Sequence, residues 1–171
     1  MGDKRIIGIM GAMPEEVNDI ITLLDNPHNA TIGMRTYTSG MLNGVQVVVV
    51  FSRWGKVAAA STVTTLINVY DITELIFTGV AGAIDPALKI GDIIVAKRLI
   101  QHDMDARPLM PQFEIPLLEK TWFECNKELV NHAESAISLL LEKQNLNSIV
   151  GLETLQQFGI HAPTLYIGDI A

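Results

Sequence analysis

Apolar positions along this chain alternate between short continuous runs and helically spaced sets. Arg5 to Met10 (RIIGIM) is a strand-like run, and after Pro14 the residues Val17, Ile20, Ile21 and Leu24 recur at helical spacing. A polar stretch, Asp25 to Ala30, closes that unit. Thr36 to Met41, then Asn43-Gly44, then Val45 to Phe51 predicts a hairpin, because Asn-Gly supplies the positive φ angles a tight turn requires. Val45 to Val50 is β-branched and nearly all apolar, as for a strand covered on both faces. Ser52 to Gly55 breaks the pattern, and Lys56 to Tyr70, rich in small residues, predicts a helix. Leu75-Ile76-Phe77 reads as a second covered strand, ending in Thr78-Gly79-Val80-Ala81-Gly82.

Beyond Pro86, Gly91 to His102 is extended, and Leu109 to Lys120, with Pro108, Pro111 and Pro116, predicts a long irregular loop. Glu124 to Lys143 is the clearest helix, with Leu129, Ala133, Ala136, Ile137, Leu140 and Leu141 on one side. Thr164 to Ala171 is again an apolar strand. Strands alternating with helices predict a three-layer α/β fold, taken as a single domain over residues 1–171.

Composition narrows the class. The chain is 49% hydrophobic and 18% charged, which excludes a disordered protein. Its longest apolar run, Val45 to Phe51 interrupted by Gln46, falls far short of the roughly 20 residues that a membrane-spanning helix needs. The apolar share is high for 171 residues and suggests a core larger than this length should enclose. Nineteen acids against twelve bases give a net charge of −7, the wrong sign for a nucleic-acid partner. Cys125 is the only cysteine, so disulfides and thiolate zinc sites have no material. Met1 to Arg5 lacks the pattern of a secretory signal and runs directly into the first strand, which points to a cytoplasmic compartment.

Two glycine-bearing turns follow apolar strands, Gly8-Ile9-Met10-Gly11-Ala12 and Thr78 to Ala83. Neither is GxGxxG, and Trp54-Gly55-Lys56-Val57 is not a phosphate-binding P-loop. The glycines are explained either by tight strand-to-helix turns or by strand ends that line one ligand crevice. Met13-Pro14-Glu15-Glu16 carries more. Pro and acids suit a helix start, yet Glu15 aligns with the polar Asn18, Asp19 and Thr22, whereas Glu16 aligns with Ile20, Leu23 and Leu24. A carboxylate leading the apolar stripe beside a strand end is a general-base candidate, since burial moves such a group towards working pH.

His102-Asp103-Met104-Asp105 invites a metal, but an extended chain would put His102 and the two aspartates on opposite faces, so no metal site is expected. Cys125, at the expected start of the long helix, has no local base and is taken as half-buried and structural. His28, His132 and His161 fall in loop or helix-surface contexts.

In order along the chain, GIMGAMPEEV (Gly8 to Val17), FSRWGKVAAA (Phe51 to Ala60), FTGVAGAIDPALKIGDIIV (Phe77 to Val95) and QHDMDA (Gln101 to Ala106) resemble the 5′-methylthioadenosine/S-adenosylhomocysteine nucleosidases of the nucleoside phosphorylase superfamily. The resemblance implies a homodimeric, cytoplasmic α/β sandwich with a mixed, twisted central sheet. It implies hydrolysis of the bond between adenine and thioribose in methionine salvage, with no metal or cofactor. Glu16 matches the acid that activates the attacking water, and Ala12 and Met13 match the turn beside that water. Val80, Ala81 and Gly82 match the turn below sugar and base, and Trp54 matches a position that faces the 5′-alkylthio group in the family. In the family the loop after QHDMDA caps this group on the partner subunit, and Leu109, Phe113 and Pro116 are the candidates for that role here.

Val80 stands where a hydroxyl residue is often found, and Trp54 replaces a smaller aliphatic residue; both bear on substrate preference. The family's later Ser-Gly-Asp-x-Phe, Met-Glu and Arg-x-x-Ser-Asp segments, which contact the base, hold the ribose and protonate adenine, do not occur in residues 1–171. Ile167 to Ala171 aligns with the strand that enters the first of them. A C-terminally incomplete domain, with activity in a longer form, is therefore the expectation. The competing functions are a nucleoside phosphorylase using Arg53 for phosphate, a nucleosidase for another purine nucleoside such as futalosine, and a non-catalytic dimerising module.

Overall fold

The computed structural model describes residues 5–143, 148, 150–160 and 162–171; Met1 to Lys4 and His161 lie outside the described residues. The chain forms two compact units, Met1–Gly82 and Ala83–Ala171, each with its own mixed β-sheet.

The first unit is built on β1 (Ile6–Gly11), β2 (Asp25–Ile32), β3 (Arg35–Leu42), β4 (Val45–Phe51) and β5 (Glu74–Phe77), in the spatial order β2-β3-β4-β1-β5. The hairpin β3–β4 turns at Asn43 (φ 49°) and Gly44 (φ 80°), as the Asn-Gly pair requires. β1 pairs in parallel with both β4 and β5. Between β4 and β5 runs α2 (Lys56–Tyr70), and between β1 and β2 lie a 3-10 turn (Pro14–Glu16) and the short α1 (Asn18–Thr22).

The valine run of β4 explains itself in this setting. Successive side chains point to opposite faces, so Val48 and Val50 join Ile6, Met10, Tyr37 and Leu66, while Val47 and Val49 join Ile9, Val17 and Leu24. With apolar clusters on both sides, all four valines are at most 1% exposed, and an alternating pattern would have left one face unsatisfied.

In the second unit β6 (Ile93–Ile100) lies between β7 (Trp122–Glu124), antiparallel, and β8 (Leu165–Ile170), parallel. α3 (Lys127–Lys143) packs against β6 and β8, and a short α4 (Leu152–Gln157) precedes β8 and buries Leu155. Arg98 of β6 ties the three strands together. Its guanidinium donates to Asp169 of β8 at 3.0 and 2.7 Å and lies 4.1 Å from the ring centroid of Trp122 in β7.

Several expectations are corrected. Asp25 to Ala30 is not a closing loop but most of β2, an edge strand. Edge strands tolerate exposed polar residues and proline, here Pro27, so the hydrophobic pattern that marks a strand is missing, and His28 lies on it. β5 is not covered: Leu75, Ile76 and Phe77 are 36%, 46% and 57% exposed, because β5 ends the sheet with β1 as its one strand neighbour. The long helix starts at Lys127 rather than Glu124. Glu124 belongs to β7, Cys125 follows it, and the Asn126 side chain caps the helix by accepting the N–H groups of Glu128 and Leu129. Leu140, expected on the apolar side of α3, is 42% exposed, as the helix faces a sheet of only three strands.

Two stability outcomes follow. Leu66, fully buried on α2, should cost about 2–5 kcal/mol as Leu66→Ala, whereas neighbouring Ile67→Ala, at a position 51% exposed, should cost under about 1 kcal/mol in urea unfolding. Arg98 holds the Asp169 carboxyl below the usual carboxylate range. A carboxyl lowered on folding stabilises above its unfolded value, and that contribution is lost as the pH falls through its folded one. Asp169→Asn should therefore lower the Tm at neutral pH, and the difference from the parent should close on acidification.

Candidate active site

Because β1, β4 and β5 run parallel, their carboxyl ends share one edge of the first sheet, Gly11 beside Phe51 and Met10 beside Phe77. The ladder continues into the turns, with Ser52 N–H donating to the Gly11 carbonyl at 2.8 Å and Thr78 N–H to the Met10 carbonyl at 3.0 Å. Open α/β sheets bind small ligands outside this edge. The segments 12–16, 52–55 and 78–82 all leave the sheet here.

Pro14 opens the 3-10 turn, where a missing N–H costs nothing, and the turn carries Glu16 back over the end of β1. Glu16 Oε2 accepts the backbone N–H groups of Ala12 at 2.6 Å and Met13 at 2.8 Å. Glu16 Oε1 accepts the N–H of Val80 at 3.1 Å, from the turn after β5. A half-buried carboxylate is thus clasped from two turns by charge-assisted hydrogen bonds, while Glu15 is exposed. The stripe expected below Glu16 is only partly formed. Leu24 is buried but Leu23 is 67% exposed, because the 3-10 turn and the break at Val17 shift the phase of the following helix.

Val80 enters this cluster through its main chain, so the bond to Glu16 does not depend on a hydroxyl side chain at that position; the valine side chain itself is 81% exposed. Ala81 and Gly82 follow it and are exposed. Trp54, 76% exposed, sits between Arg53 (φ 73°) and Gly55 (φ 92°) in the turn after β4. The Arg53 guanidinium donates to the Met34 carbonyl at 2.8 Å.

Leu109, Phe113 and Pro116 belong to the second unit. Leu109 is 88% exposed, Pro116 is exposed, and half-buried Phe113 (φ 70°) donates its N–H to the Met104 carbonyl at 2.9 Å. The chain expected to be extended at His102 and Asp103 turns there instead, with Met104 N–H bonded to the Gln101 carbonyl at 3.2 Å. Asp105 accepts from Arg107 at 2.9 Å, which pulls its carboxyl down to about 2. Burial pushes the Cys125 thiol up, the opposite of an activated thiolate. Among the described residues no three His, Cys, Asp or Glu side chains group as metal ligands.

Gly11 and Gly79 lie directly against the Glu16 side chain, a role that no motif in the sequence marks. The available signal was a pair of glycines in the two turns that the sheet brings together.

An α/β sheet with a clasped carboxylate at its carboxyl edge defines the class, and the sequence places it. The chain belongs to the phosphorylase superfamily, which it matches over residues 6–153. It is 34% identical over 144 residues to a 5′-methylthioadenosine/S-adenosylhomocysteine nucleosidase of Shewanella frigidimarina, covering 84% of this chain and 63% of that protein. An aminodeoxyfutalosine nucleosidase of Helicobacter pylori is 35% identical over 112 residues, covering 65% of this chain and 47% of the relative. The crystal structure of the S-adenosylhomocysteine nucleosidase of Streptococcus pyogenes in complex with 5-methylthiotubericidin superposes with a TM-score of 0.80 at 28% identity, over 100% of this chain and 63% of that one. The chain thus spans less than two thirds of the length of these relatives.

Removing the carboxylate strands three N–H donors, two of them in half-buried residues. Glu16→Ala should therefore lose about 1–3 kcal/mol of stability, and Glu16→Gln, which keeps one acceptor oxygen, less, as measured by chemical unfolding.

Proposed function

We propose that this protein is a hydrolase that cleaves the N-glycosidic bond of 5′-methylthioadenosine and S-adenosylhomocysteine to release adenine. The observation that carries this reading is the Glu16 carboxylate, fixed by three backbone N–H groups at the carboxyl edge of the sheet. Its likeness to nucleosidases over most of its length supports the substrate class.

In the proposed reaction Glu16 takes a proton from water as the water oxygen bonds to the anomeric carbon. The carbon–nitrogen bond breaks through an oxocarbenium-like state, and adenine leaves with the bonding electrons and takes up a proton. Backbone clasping suits the base role, because it orients the carboxylate before substrate arrives. An anionic group in this position disfavours phosphate as the nucleophile.

The remaining parts of the reading rest on the family resemblance. They are one α/β domain over residues 1–171 and a cytoplasmic homodimer acting in methionine salvage. Ala12, Met13, Val80, Ala81 and Gly82 line the water, sugar and base, and Trp54 the alkylthio group. Leu109, Phe113 and Pro116 cap the partner's pocket. Among the described residues no helix is long and apolar enough to cross a membrane. A second reading, an aminodeoxyfutalosine-type substrate, is favoured by the Helicobacter relative and by the large, exposed Trp54 in the pocket's place.

Adenine release from both nucleosides tests the proposal. The 171-residue chain should show little turnover and a form extended to its relatives' length normal turnover, since the family's Met-Glu and Arg-x-x-Ser-Asp segments do not occur in residues 1–171. Full activity of the short chain would overturn that division. In the extended form Glu16→Gln should lose about 100- to 10,000-fold in kcat while still binding a methylthio-nucleoside inhibitor. Equal loss of binding would make Glu16 a structural residue. Phosphate-dependent product formation would replace hydrolysis by phosphorolysis.

A further inference from the structure

The Glu16 carboxylate is held by hydrogen bonds on two sides, but hydrogen bonds alone leave its depth in the site open. Gly79 supplies a third constraint. A Cβ added to Gly79 would lie 2.8 Å from Glu16 Oε1, 3.0 Å from its carboxyl carbon and 3.2 Å from Oε2. Real Cβ atoms do not approach so closely, so either the added methyl or the carboxylate must move.

The backbone does not demand glycine here. Gly79 is absent from the left-handed region that Gly33, Gly44, Gly55, Gly91, Gly151 and Gly159 occupy, so its φ is open to any residue. Nor does core packing demand it, because Gly79 is exposed and the three nearest atoms to its missing Cβ all belong to Glu16. The tightest constraint on a side chain here is the carboxylate. Gly11 differs: it is buried, and a Cβ there would meet Val17 Cγ1 at 2.9 Å as well as Glu16 Cβ at 2.9 Å, so the same substitution would also disturb the core.

We propose that Gly79 is a positioning residue, whose missing side chain is the space into which the Glu16 carboxylate is drawn by the adjacent Val80 N–H. A methyl group at position 79 pushes the carboxylate off that N–H, and so off the line on which it would meet a water. The steric part stands on geometry alone; its consequence for turnover rests on Glu16 being the base, as proposed above.

The test places Gly79→Ala in three backgrounds: the parent, Glu16→Ala for the amide shifts, and Glu16→Gln for turnover. In the 171-residue chain, the amide resonances of Ala12 and Met13 report on Glu16 Oε2, and they lie more than sixty positions from residue 79 in the sequence. Gly79→Ala should shift both, with a Tm no lower than that of Glu16→Ala, and should shift them much less when residue 16 is Ala and the conflicting group is gone. Unmoved Ala12 and Met13 resonances, or equal shifts in the parent and Glu16→Ala backgrounds, would overturn the proposal.

In the form extended to the relatives' length, Gly79→Ala should lower kcat about ten- to a hundredfold, as displacements near 1 Å do, with KM changed less than about threefold. The double variant should be no slower than Glu16→Gln alone, and multiplying losses would make Gly79 independent of Glu16. Should Glu16→Gln turn over normally, the base assignment fails. The amide shifts then decide the steric claim by themselves.

Discussion

Everything at the candidate site depends on one carboxylate held by main-chain amides from two distant turns. Val80 lies 64 residues beyond Glu16, and what brings its N–H within 3.1 Å is the parallel pairing of β5 with β1. That pairing in turn needs α2 to carry the chain from β4 on one side of β1 to β5 on the other. The clasp is therefore a readout of the whole first unit. If β1 and β5 lost their register, Glu16 would keep two of its partners and lose the third.

Using the backbone as donor has a physical advantage. Amide groups at the ends of strands are fixed by the sheet itself, so they need no side-chain entropy to be ordered before they act. They also survive substitution. Valine at position 80 keeps the same N–H that a serine would offer, so the hold on Glu16 does not depend on the side chain at this position. The side chains of Trp54 and Val80, both largely exposed, take no part in the clasp.

The distribution of apolar residues tells a related story. Among the described residues the two clusters around β4 hold eleven of the twelve buried hydrophobic side chains, and both lie in the first unit. Elsewhere large apolar side chains stand exposed, among them Leu75, Ile76 and Phe77 of β5 and Tyr166 and Ile167 of β8. The high apolar share of the composition is thus only partly spent on a core in these residues, and the chain spans less than two thirds of its relatives. Arg98, by contrast, holds a thin three-stranded sheet together with charge and an aromatic face rather than with apolar burial.

Local pattern determined much of this protein. The valine run, the Asn-Gly turn and the Lys56–Tyr70 helix were legible because each depends on neighbours within a few positions, where period, turn chemistry and propensity act. Glu16 stood apart from Glu15 by its place on a helical stripe, although the turn proved to be 3-10 and the stripe imperfect. The polar edge strand β2 and the three-residue β7 were not legible, since an edge strand needs no apolar alternation and a very short one has no period. The role of Gly79 could not be read at all from the chain. Its glycine answers to a carboxylate more than sixty residues away, and only the tertiary structure, by laying β5 beside β1, brings the two to within a van der Waals radius of conflict.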